Sequence, residues 1–209
     1  MTSVKFYRIF VFMVASLYMA DNYIRWGPSI FNYLTNWGLT AGVVCSALLL
    51  FETITERKLP INSVLIAGFC LSAVVMILYW RLYWKDPSLL YADKDHMMPW
   101  YRDDYVHLVG PILQMFDALC IRQAFSGRVI RGLCYYICIA SSYAVCSELF
   151  FALPYPFMWS LDLMQRLSFY GNGIAIGVMA FLIGLGLHYL LTYLGIFRSS
   201  IMVSRPLKS

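Results

Sequence analysis

Six apolar stretches, each close to the thickness of a bilayer, constrain this chain more than any other feature. They run from about Phe6 to Tyr23, Tyr33 to Phe51, Ile61 to Trp84, Tyr105 to Ile121, Ile130 to Leu153 and Phe169 to Ile196. A transmembrane helix needs about 20 predominantly apolar residues, and in lipid its backbone groups must be satisfied within the segment. Of the 209 residues, 61% are hydrophobic and 13% charged, and no stretch reads as a separate soluble domain. The expected fold is therefore all-α: a single integral-membrane domain over residues 1–209, built as a polytopic bundle of about six spans. No small-x-small cleavage site follows the first stretch, so it reads as a retained span rather than a signal peptide. Pro60 suits the start of the third helix.

Charge orients the spans. With six crossings, one side carries Lys5, Arg8, Arg57, Lys58, Arg122, Arg128, Arg131, Arg198, Arg205 and Lys208, ten of the sixteen basic residues. The positive-inside rule counts those residues and puts both termini in the cytosol. The opposite face is acidic, with Asp21, Asp86, Asp93, Asp95, Asp103, Asp104 and Asp162. Trp26, Trp37, Trp80, Trp84, Trp100 and Trp159 fit aromatic belts at the two interfaces. The six cysteines all lie in apolar stretches without metal-ligand spacing to a histidine, so neither a metal site nor a disulfide framework is expected. No nucleic-acid partner is expected, and the surroundings are membrane lipid.

The polar residues that remain are few. Pro99 to Pro111, PWYRDDYVHLVGP, is a polar island in which Arg102, Asp103 and Asp104 precede His107. Thr35 opens the second span, His107 opens the fourth, and Glu148 lies in the last turns of the fifth, all toward the outer side. A hydroxyl, an imidazole and a carboxylate at similar depth can perform nucleophilic catalysis, with the base taking the hydroxyl proton and the acid orienting the base. Bland readings stand beside this one. A threonine in a span ordinarily bonds its own helix or a neighbour. An interfacial histidine can be a wetted helix end, and Glu148 can be half of a hydrogen-bonded helix pair. Asp117, near the cytosolic end of its span, is expected to snorkel or to meet Arg122. His96 and His188 read as structural. Gly173, Gly177, Ala180 and Gly184 form a small-residue stripe, the pattern of a close helix–helix contact and a possible surface for a partner helix.

Four local signatures carry a resemblance. They are Ile24-Arg25-Trp26 with Tyr33-Leu34-Thr35-Asn36; the aromatic run Tyr79 to Tyr91; Pro99-Trp100 with His107 and Pro111; and Pro154-Tyr155-Pro156-Phe157. Their order resembles the androgen-induced protein 1 family, integral-membrane threonine hydrolases that cleave fatty acid esters of hydroxy fatty acids. The resemblance implies Thr35 as nucleophile, His107 as its histidine, and no cofactor. It also implies residence in the endoplasmic reticulum, another endomembrane or the plasma membrane. Where the family commonly has an Asn-His pair before the histidine, this chain has Asp103 and Asp104, which are candidates to orient His107 or line the site together with Glu148.

Two other classes of function stay open at this level. One is a non-catalytic membrane subunit that uses the Gly173, Gly177 and Gly184 face to bind its partner. The other is a sterol- or lipid-binding isomerase-like protein built on Glu148, in loose resemblance to the emopamil-binding family.

The orientation is testable. An N-glycosylation acceptor inserted at Lys94 is expected to be modified, and one at Lys208 is not. Modification of both, or of neither, overturns the six-span arrangement.

Overall fold

The computed structural model describes residues 2–90, 99–151, 153 and 155–197. The loop position Lys94, together with Asp93, Asp95, His96, Pro154, Arg198, Arg205 and Lys208, falls outside the described residues. Among the described residues there are helices and no strands. Five helices are long and apolar enough to cross a membrane, which makes this an integral membrane protein: α1 (Thr2–Trp26), α2 (Leu34–Thr55), α3 (Asn62–Lys85), α5 (Val129–Leu149) and α6 (Leu163–Tyr193). Between α3 and α5 lies α4, residues 100–121. It is continuous but not uniform: α-helical Trp100–Asp104, a π turn Tyr105–Val109, α-helical Gly110–Phe116 and a second π turn Asp117–Ile121. The six expected spans correspond to these six helices. The fourth is extended toward its N-terminus by five residues, and the interruptions of its hydrogen-bond ladder set it apart from the other five.

Two ends differ from expectation for local reasons. The last helix begins at Leu163, ahead of the apolar run at Phe169, because Asp162 and Gln165 form a reciprocal capping box. The fifth ends at Leu149, and among the described residues between it and Pro156 none is helical.

The helices surround α3, which touches α2, α4, α5 and α6. Its most apolar window is 72% buried, against 17% to 33% for the other four. Leu65, Ile66, Phe69, Cys70, Leu71 and Val74 form the centre of the main core. α1 shows how one helix faces two media. Phe6, Phe10, Met13 and Leu17 are exposed along one stripe, while Arg8, Val11, Ala15 and Asn22 are buried along another. The small-residue stripe of α6 is a helix–helix contact within the chain. A Cβ on Gly177 would lie 2.0 Å from the Tyr136 ring of α5, and Tyr136 donates to the Gly173 carbonyl at 2.9 Å. Gly184 faces Phe125 and Phe69. Side chains of α3, α5 and Phe125 pack against that face.

The end of the bundle that holds the N-terminus of α1 is tied by charge. Arg8 grips Asp117 with two nitrogens, at 2.7 and 2.9 Å, and gives a third bond to Thr53 at 2.8 Å. Arg122 grips Glu52 at 2.9 and 3.2 Å and donates to the Leu59 carbonyl, clamping the connection between α2 and α3. Asp117 therefore meets Arg8 and not Arg122, because the second π turn aims it at α1.

Both side chains of the Arg8–Asp117 pair are under a tenth exposed, and breaking a buried pair leaves an uncompensated charge. Asp117→Ala is expected to cost about 3–5 kcal/mol, read as loss of thermal stability in mild detergent. Arg8→Met combined with Asp117→Leu is expected to recover most of it, and an undiminished stability of Asp117→Ala alone would contradict the pairing.

Candidate active site

The opposite end of the bundle holds the other polar cluster, and its position follows from one proline. Pro111 has no N–H, so the carbonyl four residues before it, on His107, has no helical donor. The π turn Tyr105–Val109 accommodates this, with the Gly110 N–H reaching back to the Tyr105 carbonyl. The indole N–H of Trp80 on α3 donates to the freed His107 carbonyl at 3.2 Å. Trp80 was expected in an aromatic belt; here it holds the histidine backbone.

The His107 ring is fixed on every side. Its Nδ1 lies 3.0 Å from the Asp103 carboxylate, one helical turn earlier, and 3.0 Å from the Asp103 carbonyl. Both are acceptors, so Nδ1 carries the proton and Nε2 is left with a free lone pair. Tyr79 stacks on the imidazole at 3.5 Å between centroids and 9° between planes. The Tyr79 hydroxyl also donates to the other oxygen of Asp103. Thr35, at the start of α2, places its Oγ1 3.0 Å from Nε2. The result is a line of hydroxyl, imidazole and carboxylate: Thr35, His107, Asp103. His107 is 4% exposed.

Thr35 and His107 line a cavity of about 390 Å³, within the range of small-ligand sites. Leu34, Val75, Leu78, Leu82 and Phe169 supply its apolar wall, while Trp26 and Trp159 line it and are also exposed. A second polar chain braces the start of α2. Arg102 bonds Asp21 at 2.5 Å and the Asn22 side-chain oxygen at 2.6 Å; Asn22 donates to Asn36 at 2.9 Å, and Asn36 donates to the Ile30 carbonyl at 3.1 Å. It joins α1, α2 and α4 at the residue after Thr35.

The remaining expected residues fall elsewhere. Asp104 is half-buried, and among the described residues no hydrogen bond or ion pair joins it to His107. Glu148 does not line the cavity. It receives three bonds of 3.0–3.2 Å from Arg166 and one of 2.9 Å from the Tyr170 hydroxyl, so it cross-links α5 to α6. It sits at the expected depth but on the wrong side of its helix. Tyr79, Trp80, Asn22 and Tyr155 were not expected as parts of the site. For Tyr79 the signal was present: it leads the aromatic end of α3, opposite a histidine of similar depth.

A family model described as FAR-17a/AIG1-like protein matches residues 1–189. The chain belongs to this family. It is the androgen-induced protein 1 family, and the matched region contains all three members of the Thr35, His107, Asp103 line. No curated protein and no solved structure matches the chain.

Glu148→Gln separates the two polar clusters. It is expected to lower thermal stability by about 1–3 kcal/mol, the worth of hydrogen bonds to a charged group. Labelling of Thr35 by a fluorophosphonate probe is expected to be unchanged. Loss of labelling with full stability would place Glu148 back in the site.

Proposed function

We propose that this FAR-17a/AIG1-like chain is a membrane-embedded lipid ester hydrolase that uses the Thr35 hydroxyl as nucleophile, with fatty acid esters of hydroxy fatty acids as its substrate class. The observation that carries the reading is the 3.0 Å contact between Thr35 Oγ1 and His107 Nε2, at the wall of a cavity largely lined by apolar side chains. A threonine hydroxyl at neutral pH is protonated and a weak nucleophile, so it needs a base in hydrogen-bond contact. His107 Nε2 is that base, and Asp103 at Nδ1 holds the tautomer and steadies the imidazolium that forms.

The chemistry runs in two halves. As Thr35 attacks the ester carbonyl, its proton passes to His107 Nε2. The tetrahedral adduct collapses, the bond to the alcohol breaks, and His107 returns the proton to the departing oxygen. Water, deprotonated by His107, then attacks the acyl-threonine; the bond to Thr35 Oγ breaks, His107 returns the proton to that oxygen, and the fatty acid is released. The apolar wall of Leu34, Val75, Leu78 and Leu82 suits an acyl chain, and a lipid substrate enters from the membrane rather than from water. In the orientation expected from the basic residues, the site opens toward the lumenal or outer leaflet. The hydrogen bonds around Glu148 favour this reading over an isomerase built on that carboxylate, because Arg166 and Tyr170 already occupy its oxygens.

The test is mutational. Thr35→Ala is expected to abolish both fluorophosphonate labelling and ester hydrolysis while costing on the order of 1 kcal/mol of stability. His107→Ala is expected to abolish turnover, and Thr35→Ser to retain part of it. Asp103→Asn is expected to lower kcat on the order of 10²–10⁴-fold through loss of the tautomer. Full hydrolysis by both Thr35→Ala and His107→Ala would sink the mechanism.

A further inference from the structure

Attack on an ester carbonyl places a negative charge on the carbonyl oxygen, and the Thr35, His107, Asp103 line has no group to meet it. His107 is committed to the proton, and Asp103 is itself an acceptor. Several hydroxyl-bearing residues line the cavity with Thr35, and Tyr155 is one that has the Thr35 side chain as a neighbour.

Tyr155 lies between α5 and the short turn Pro156–Ser160. Its ring meets Tyr33 edge-on at 5.7 Å and stacks with Phe157 at 5.9 Å. It packs against the cluster of Tyr143, Met158 and Tyr170, where Met158 is fully buried. Tyr155 thus lies against the start of α2. The Tyr155 side chain there has the Thr35 side chain, the Leu34 backbone and the Tyr143 side chain as neighbours. The neighbouring protons have other destinations: Thr35 donates to His107, and Tyr143 donates to the Asn32 carbonyl at 3.0 Å. Tyr155 therefore has its own proton to give. Burial pushes this hydroxyl up to about 12, so it keeps its proton through the neutral range. Beside it, the first N–H groups of α2 have no intrahelical acceptor, and Tyr33 gives them no side-chain cap.

We propose that Tyr155 is the oxyanion donor of this site, its O–H acting together with the open backbone N–H of Thr35. The inference rests on Thr35 being the nucleophile. In the tetrahedral adduct the new Thr35 Oγ–carbon bond and the anionic oxygen share one carbon, so a hydroxyl that neighbours Oγ beforehand is within reach of the oxyanion. The carbonyl π pair moves onto that oxygen as the Oγ–carbon bond forms and returns when the bond to the alcohol breaks. Tyr155 donates a hydrogen bond throughout and transfers no proton. The positive end of the α2 dipole adds to the same stabilisation.

Tyr155→Phe keeps the ring and its packing and removes only the O–H. With the full-length protein in detergent micelles and a long-chain 4-nitrophenyl ester as substrate, this variant is expected to lose about 10²–10³-fold in kcat. KM is expected to stay within about twofold and the melting temperature to be unchanged, because the bond is made only in the transition state. A long-chain alkyl trifluoromethyl ketone, which forms a tetrahedral adduct at the nucleophile, is expected to lose affinity in step with kcat/KM. The corresponding fatty alcohol is expected to bind as before. Wild-type kcat in Tyr155→Phe, alongside an inactive Thr35→Ala, overturns the oxyanion assignment and leaves the nucleophile in place. Wild-type activity in Thr35→Ala overturns the nucleophile and the oxyanion assignment with it. A loss of kcat accompanied by lower stability, and by equal losses for ketone and alcohol, identifies Tyr155 as packing and also overturns the proposal.

Discussion

The site depends on a carbonyl that has lost its helical partner. Pro111 removes the donor that His107 O would otherwise accept, and in an apolar bundle such a group must be satisfied by protein. The Trp80 indole does so at 3.2 Å. That single bond ties α4 to α3 at the residue whose imidazole matters. Tyr79, the residue before Trp80, then lies flat on the imidazole and also bonds Asp103. Two successive aromatic side chains of one helix thus position backbone, ring and carboxylate on the next. Thr35 needs only to arrive at the right height, which the Asn22, Asn36 and Arg102 chain secures.

Most of the charged groups buried in the bundle are gathered into clusters of matched partners. At one end Arg8, Asp117, Thr53, Glu52 and Arg122 close on one another with charge matched to charge. At the other, Glu148 and Arg166 do the same between α5 and α6. Asp103 differs in kind: among the described residues its oxygens meet a histidine and a tyrosine. A carboxylate committed to an arginine is electrically spent, whereas one held by an imidazole N–H and a phenol can still stabilise a positive charge appearing on that imidazole.

Much of the fold was legible because apolar length is a one-dimensional property. Each expected stretch corresponds to a helix. The start of α6 was missed at Phe169 although Asp162 and Gln165 spell a capping box. Depth along a span was legible as well, and it brought Thr35 and His107 to the same level. What depth cannot specify is the direction a side chain faces around its helix. Glu148 has the right depth and faces α6. Asp103 and Asp104 are both about a turn from His107 in sequence, and the local winding into the π turn decides between them. Tyr155 was visible only as part of a short Tyr-Pro signature, because its place beside Thr35 is made by a non-helical segment whose path no periodicity describes.

The two π turns of α4 have a mechanical consequence. Each sits where the helix is gripped by another, His107 by α3 and Asp117 by α1. A plain apolar cylinder in a greasy bundle is free to roll about its axis, since one leucine face serves as well as another. Advancing α4 by one residue would turn it by about 100° and would break the grips at both ends together. The helix is indexed like a shaft keyed at two points. Torsional play at the His107 end is suppressed by an ion pair about 15 Å along the same helix, so the charges around Asp117 belong to the alignment of the imidazole with Thr35 as much as to the stability of the fold.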